Sequence, residues 1–240
     1  WALLWVATEV HYCFYHTNNY LPEAITMKAR KVRQCCLPFA LSILMSATFS
    51  AHAEDAAESA ALIAKGKYLA IAADCGACHT APNQGREMSG GYIISSPLGN
   101  IVASNITPSK TAGIGDYSEQ DFVKAVRSGI NKQGQHLYPA MPYTSYAKIS
   151  DADMHALYVY FMHGVKADDN VPPATDLPFP FNIRSSMFFW NMLFADNKPF
   201  IPAKDKSDVV NRGDYLVNAL AHCDTCHTPR NALMGQNNAQ

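Results

Sequence analysis

Apolar side chains recur at helical spacing in several stretches of this chain. Leu62, Gly66, Leu69 and Ala73 fall at i, i+4, i+7 and i+11, one face of a helix. Gly66 on that face leaves room for a second helix to cross closely. Phe122, Val123, Val126 and Ile130 make another face, and Ser118 with Asp121 three residues on is a capping-box-like start for it. Ser150 and Asp153 repeat that start ahead of Met154, Leu157, Tyr158 and Phe161, with Gly164 as a natural stop. Between residues 83 and 117 the chain is rich in Gly, Ser, Asn and Pro, and short apolar runs around Pro97-Leu98-Gly99-Asn100 predict a small hairpin. The pattern predicts an all-α fold with long loops.

The ends and the middle read differently. Met27-Lys28-Ala29-Arg30-Lys31-Val32-Arg33 is basic, Cys35 to Phe49 is apolar, and Ala51-His52-Ala53 is an A-x-A site followed by acidic Glu54-Asp55. Residues 27–53 therefore read as a secretory signal peptide that leaves Glu54 as the first mature residue. A membrane span would need roughly 20 apolar residues, more than this run provides. Residues 1–26 lie upstream of that complete signal and read as translated upstream sequence, outside the fold. Residues 54–168 read as a first complete domain. Prolines at 172, 173, 178, 180, 199 and 202 mark residues 169–211 as an interdomain connector. Within it Ile183, Met187, Trp190 and Phe194 share a helix face that Phe189 and Leu193 widen, either packing between domains or docking a partner or the membrane surface. Residues 212–240 read as the start of a second domain.

Seven cysteines are present, and Cys13, Cys35 and Cys36 fall in the excluded segments. The other four stand in Cys75-Gly76-Ala77-Cys78-His79 and Cys223-Asp224-Thr225-Cys226-His227. C-x-x-C-H is the attachment signature of c-type haem: two cysteines form thioethers with the vinyl groups, and the adjacent His is placed under the iron. A zinc site is a poor fit, because the two pairs stand 145 residues apart (78 to 223) and zinc needs no His directly after each pair. Gly66-Lys67-Tyr68-Leu69 and Gly213-Asp214-Tyr215-Leu216 precede the two motifs, and Thr80 and Thr228 follow them, so one structural unit is used twice.

A second axial ligand of haem one should be a methionine, the usual partner of His in cytochromes c. Met154 and Met162 belong to a helix, and Met88 lies only 9 residues after His79. Met141 sits in Tyr138-Pro139-Ala140-Met141-Pro142-Tyr143, where flanking prolines stiffen a loop between helices. Met141 is the leading candidate and His136 the alternative; His155 and His163 read as helix-surface residues. The gap from His79 to Met141 is 62 residues, so the matching methionine for His227 is expected beyond Gln240 and not at Met234. Before residue 54 four basic and two acidic side chains occur, which leaves 15 basic and 18 acidic in the rest; no basic patch points to nucleic acid.

These residues carry a family resemblance. Asp74-Cys75-Gly76-Ala77-Cys78-His79-Thr80, Ser104-Asn105-Ile106-Thr107-Pro108, Leu137-Tyr138-Pro139-Ala140-Met141-Pro142-Tyr143, Leu177-Pro178-Phe179-Pro180-Phe181-Asn182 and His222-Cys223-Asp224-Thr225-Cys226-His227-Thr228-Pro229-Arg230 resemble the three-haem cytochrome c subunit of membrane-bound alcohol and gluconate 2-dehydrogenases. The resemblance implies cytochrome c-type domains, one complete and one partial. It implies haem c at Cys75, Cys78, His79 and Met141, a second haem at Cys223, Cys226 and His227, and a third beyond residue 240. It further implies electron transfer, not catalysis by this chain alone. Electrons would come from a catalytic subunit holding PQQ or FAD and go towards ubiquinone or another membrane acceptor, on the periplasmic side of the cytoplasmic membrane. The competing class is a two-haem cytochrome c peroxidase, which would need an open iron position.

Overall fold

The structure is a computed structural model that describes residues 56–84 and 86–237. The expected signal peptide with its expected cleavage before Glu54, the segment 1–26 and the first three cysteines lie outside the described residues.

Helix α1 occupies residues 56–72, and the short α2 (Cys75–His79) follows after a turn. A two-stranded antiparallel hairpin comes next, β1 (Ile93–Ser96) with β2 (Gly99–Val102), paired Ile93 to Val102 and Ser96 to Gly99. Helix α3 (Glu119–Ser128) starts at the expected place: Ser118 Oγ accepts from the Asp121 amide and the Asp121 carboxylate accepts from the Ser118 amide. A single turn, α4 (Tyr143–Tyr146), precedes α5 (Asp151–Val159), which Ser150 caps through the Asp153 amide. α5 closes in a wider π-type turn, Tyr160–Gly164. Beyond it lie α6 (Ser186–Phe194), α7 (Asp208–Tyr215) with its own π-type turn Leu216–Leu220, and α8 (Cys223–His227).

The core gathers the faces that periodicity picked out. Leu69, Ala73, Phe122, Met154, Leu157 and Phe161 are buried together with Tyr146 and Ile149. Phe122 stacks at tilted angles on Tyr158 and Phe161, with both ring centroids 5.8 Å away. Gly66 is where α1 crosses α5: a Cβ there would collide with the Ala156 carbonyl oxygen and stand 2.5 Å from Tyr160 Cβ. Gly213, its counterpart in the repeat, is different, since a Cβ there would meet nothing within 4 Å.

The second half of the repeat packs on the first. Tyr215 is buried while the matching Tyr68 is 54% exposed. The Tyr215 hydroxyl donates to Asp153 Oδ2 at 2.8 Å and accepts from the Ser150 amide at 3.1 Å. Lys65 reaches the other oxygen of Asp153 at 2.7 Å, so one carboxylate ties α1, α5 and α7 together. Burial alone would raise the Asp153 pKa, but hydrogen bonds from Lys65 and Tyr215 and the charges of Lys65 and Arg212 hold it below the ordinary value. In α6, Met187, Trp190 and Phe194 turn partly inward, whereas Phe189 and Leu193, expected to widen that face, are 62% and 63% exposed. Among the described residues no helix is long and apolar enough to cross a membrane.

The two glycines make a paired test. Gly66→Ala should destabilise the protein by about 1–3 kcal/mol, the usual range for an overpacked contact. Gly213→Ala, with open space and a helical backbone, should stabilise it by about 0.5–1 kcal/mol. Thermal unfolding of the two variants by circular dichroism reads both signs.

Candidate functional site

Both C-x-x-C-H segments are five-residue helices entered through a residue in the left-handed conformation, Asp74 (φ 55°) and His222 (φ 41°). This entry is uncommon for a residue other than glycine, and Asp and His are among the types that tolerate it. The backbone then closes alike in both: the Thr80 amide bonds Gly76 O at 3.0 Å and the Thr228 amide bonds Asp224 O at 3.0 Å. In each motif the two cysteines stand three residues apart, so they fall on the same side of a helical turn. None of these four cysteines is in a disulfide.

Cys75, Cys78 and His79 line a cavity of about 740 Å³, within the range of small-molecule and cofactor sites. Its walls are largely apolar, with Ile106, Phe122, Val126, Leu157 and Phe161 among them. Met141 lines the same cavity, and Pro142 beside it leads directly into α4. The other sequence candidates lie elsewhere. Met88 is 4% exposed and packs towards Gly76, and Met154 is a fully buried core residue. His136 Nδ1 stands 3.3 Å from Asn191 Nδ2, its ring beside Phe188 on α6. His155 pairs with Glu119 at 2.9 Å, and His163 is exposed.

The ring of His79 is oriented by a contact that the sequence did not announce. Its Nδ1 stands 2.7 Å from the carbonyl oxygen of Ser104. A carbonyl can only accept, so Nδ1 carries the hydrogen and the unprotonated nitrogen is Nε2. Burial lowers the His79 pKa, and the Ser104 bond offsets only part of that, so the ring is neutral at neutral pH. A neutral imidazole with one nitrogen pinned to a backbone carbonyl is the form that ligates a metal.

The loop carrying Ser104 is itself held. Asn105 is buried; its Oδ1 accepts from the Thr107 amide and hydroxyl at 2.9 and 2.7 Å, and its Nδ2 donates to Asp168 O and Asn170 O at 2.7 and 2.9 Å. Gly90, at φ 74°, lets the backbone of residues 103–105 pass too closely for any side chain. Its amide donates to His79 O at 2.8 Å. Residues 166–177, which from 169 on were read from sequence as interdomain connector, wrap this loop, and Val171 through Thr175 form part of the cavity wall.

Cys75 and Cys78 are not set up as thiolates. Burial, with the negative charge of Asp74 adding to it, pushes the Cys75 thiol up to about 12, and the same two causes raise Cys78. Reactive and metal-binding cysteines show the reverse, a lowered pKa. Among the described residues no three His, Cys, Asp or Glu side chains are grouped so that they could hold a metal ion. The arrangement fits covalently attached haem: paired thiols on one turn, a neutral imidazole with Nε2 free, a thioether, and an apolar cavity.

The second motif is more open. Cys223, Cys226 and His227 are exposed, yet His222, Thr225 and Cys226 border the same cavity as the first motif. Met234 sits at φ 62° in a tight turn closed by its amide to Asn231 O at 2.9 Å, and it does not line the cavity.

Comparison with known proteins agrees with this chemistry. Residues 63–164 match the family model described as Cytochrome c. The chain is 52% identical over 176 residues to the fructose dehydrogenase cytochrome subunit of Gluconobacter japonicus, covering 73% of this chain and 36% of that protein. It is 49% identical over 193 residues to the gluconate 2-dehydrogenase cytochrome c subunit of Pantoea cypripedii, covering 80% and 43%. It is 45% identical over 192 residues to the alcohol dehydrogenase (quinone) cytochrome c subunit of Gluconacetobacter polyoxogenes, covering 80% and 40%. The chain thus spans less than half the length of these relatives.

Asn105→Ala would remove four hydrogen bonds from the loop that orients His79. It should destabilise the protein by about 1–3 kcal/mol, the cost of leaving buried partners unpaired. Denaturant unfolding of the haem-loaded protein reads the loss, and an unchanged midpoint would show that the loop is held by other means.

Proposed function

We propose that this chain, whose residues 63–164 match the Cytochrome c family model, carries electrons one at a time, with haem c held by Cys75, Cys78, His79 and Met141 and a second haem c held by Cys223, Cys226 and His227. The observation that carries the proposal is the His79 Nδ1–Ser104 bond in the wall of a cavity shared with both cysteines and Met141. When bound, haem c supplies a one-electron iron couple. The protein's part is to hold it. Cys75 and Cys78 anchor it, His79 presents a neutral Nε2, and Met141 offers a soft thioether that favours the reduced state. The apolar walls limit access of water, which disfavours added charge at the site. Met141 on the cavity wall also counts against the peroxidase reading, which needs an open iron position.

The dehydrogenase-subunit names of the relatives support a setting for this chemistry. In it the chain takes electrons from a catalytic dehydrogenase subunit, holding PQQ or FAD, that oxidises an alcohol, sugar or gluconate. It passes them towards ubiquinone at the periplasmic side of the cytoplasmic membrane, after export by the signal peptide. The same proposed setting includes a third haem, carried by residues beyond 240.

Expression in a host that matures c-type cytochromes tests the attachment directly. The chain should keep its haem stain in a denaturing gel. Cys75→Ala/Cys78→Ala should lose one of two haems, Cys223→Ala/Cys226→Ala the other, and the quadruple variant should lose all stain. Stain that washes out on denaturation, or persists in the quadruple variant, would overturn the assignment.

A further inference from the structure

The short helix α4 touches both motifs. Three of its four residues, Tyr143, Ser145 and Tyr146, are buried. The Tyr146 hydroxyl donates to Ala73 O at 2.6 Å, two residues ahead of Cys75, and its ring lines the cavity with Cys75, Cys78 and His79. The same ring meets the imidazole of His222 edge-on, with centroids 5.6 Å apart and planes at 76°. His222 immediately precedes Cys223 and borders the cavity with Thr225 and Cys226. Ser145 Oγ donates to Asp224 Oδ1 at 3.2 Å, which ties α4 into the second motif by a polar contact as well, and Lys148 Nζ, two residues past α4, lies 4.0 Å from Asp224 Oδ2.

We propose that Tyr146, with His222 against it, is the bridge that sets the spacing of the two haem-binding motifs and carries electrons between them. The inference rests on the haem reading above. A single electron leaves ferrous iron at one motif, which becomes ferric, and arrives at ferric iron at the other, which becomes ferrous. Tyr146 and His222 lend a packed path and neither gain nor lose an electron or a proton. A residue that only filled the core would need no contact with the second motif. Tyr146 instead fills the space between the turn before Cys75 and the residue before Cys223, where two aromatic edges give close, well-ordered contact. His222 holds its place because its backbone is in the left-handed conformation, which an Asn would also accept.

The test uses the full haem-loaded chain and a laser flash that injects one electron, following the relaxation between haems. Tyr146→Phe keeps the ring and should leave the rate nearly unchanged. Tyr146→Leu removes the aromatic edge, and His222→Asn keeps the backbone but removes the imidazole; each should slow the exchange several-fold while covalent haem content and circular dichroism stay as in the parent. The His222→Asn variant decides the matter if Tyr146→Leu does not fold. Equal rates in the parent and His222→Asn would overturn the bridge. A parent chain lacking haem at either motif would instead sink the reading on which the bridge rests, and haem content reports that separately.

Discussion

The 2.7 Å hydrogen bond from His79 Nδ1 to the Ser104 carbonyl is the contact on which the site depends, and most of the surrounding structure can be understood as what keeps it in place. An imidazole next to a cysteine pair is free to rotate and to carry its proton on either nitrogen. Pinning Nδ1 removes both freedoms, and burial keeps the ring uncharged. The cost is a loop, residues 103–107, whose backbone must pass close to the chain after α2. Gly90 permits that approach, and Asn105 fills the loop's own polar needs with four hydrogen bonds. The segment 166–177 then covers the loop, so the first part of what the prolines mark as an interdomain connector is cavity wall.

Much of this was legible in the chain itself, because the physics involved is local. The helix faces of α1, α3 and α5, the capping residues Ser118 and Ser150, the hairpin around Pro97-Leu98 and the close crossing at Gly66 depend on neighbours a few residues apart, and these are found where they were expected; the face read around Ile183, Phe189 and Leu193 is not, since those three side chains are exposed. Backbone acceptors were not legible. Nothing about serine at 104 marks its carbonyl as a partner, since every residue has one; only the run Ser104-Asn105-Ile106-Thr107-Pro108, as part of a family resemblance, drew attention to the loop. Tyr146 was missed for a related reason. It belongs to a single turn with no periodicity to measure, and its importance lies in contacts with Ala73 and His222 that are 73 and 76 residues away in sequence.

The repeat shows how far local identity reaches. Two segments of similar sequence give the same left-handed entry, the same five-residue helix and the same closing hydrogen bond. Their surroundings differ. Tyr68 faces solvent while Tyr215 is buried on the Asp153 carboxylate, and Gly66 is crossed by a helix while Gly213 faces open space. The motif is thus fixed by a dozen residues, whereas the environment that tunes a bound group is supplied by whatever packs on it. The first motif has an apolar cavity and a candidate thioether; the second shares an edge of that cavity and exposes its own histidine.

The central claim is that His79 and Met141 are the two axial ligands of one haem. The most direct measurement is a proton NMR spectrum of the reduced, haem-loaded chain, because a methionine held over a haem has its methyl signal carried far upfield by the ring current. One such methyl resonance is expected, present in the parent, retained in Met88→Leu and lost in Met141→Leu. An upfield methyl that survives Met141→Leu, or a parent spectrum with none, would contradict it.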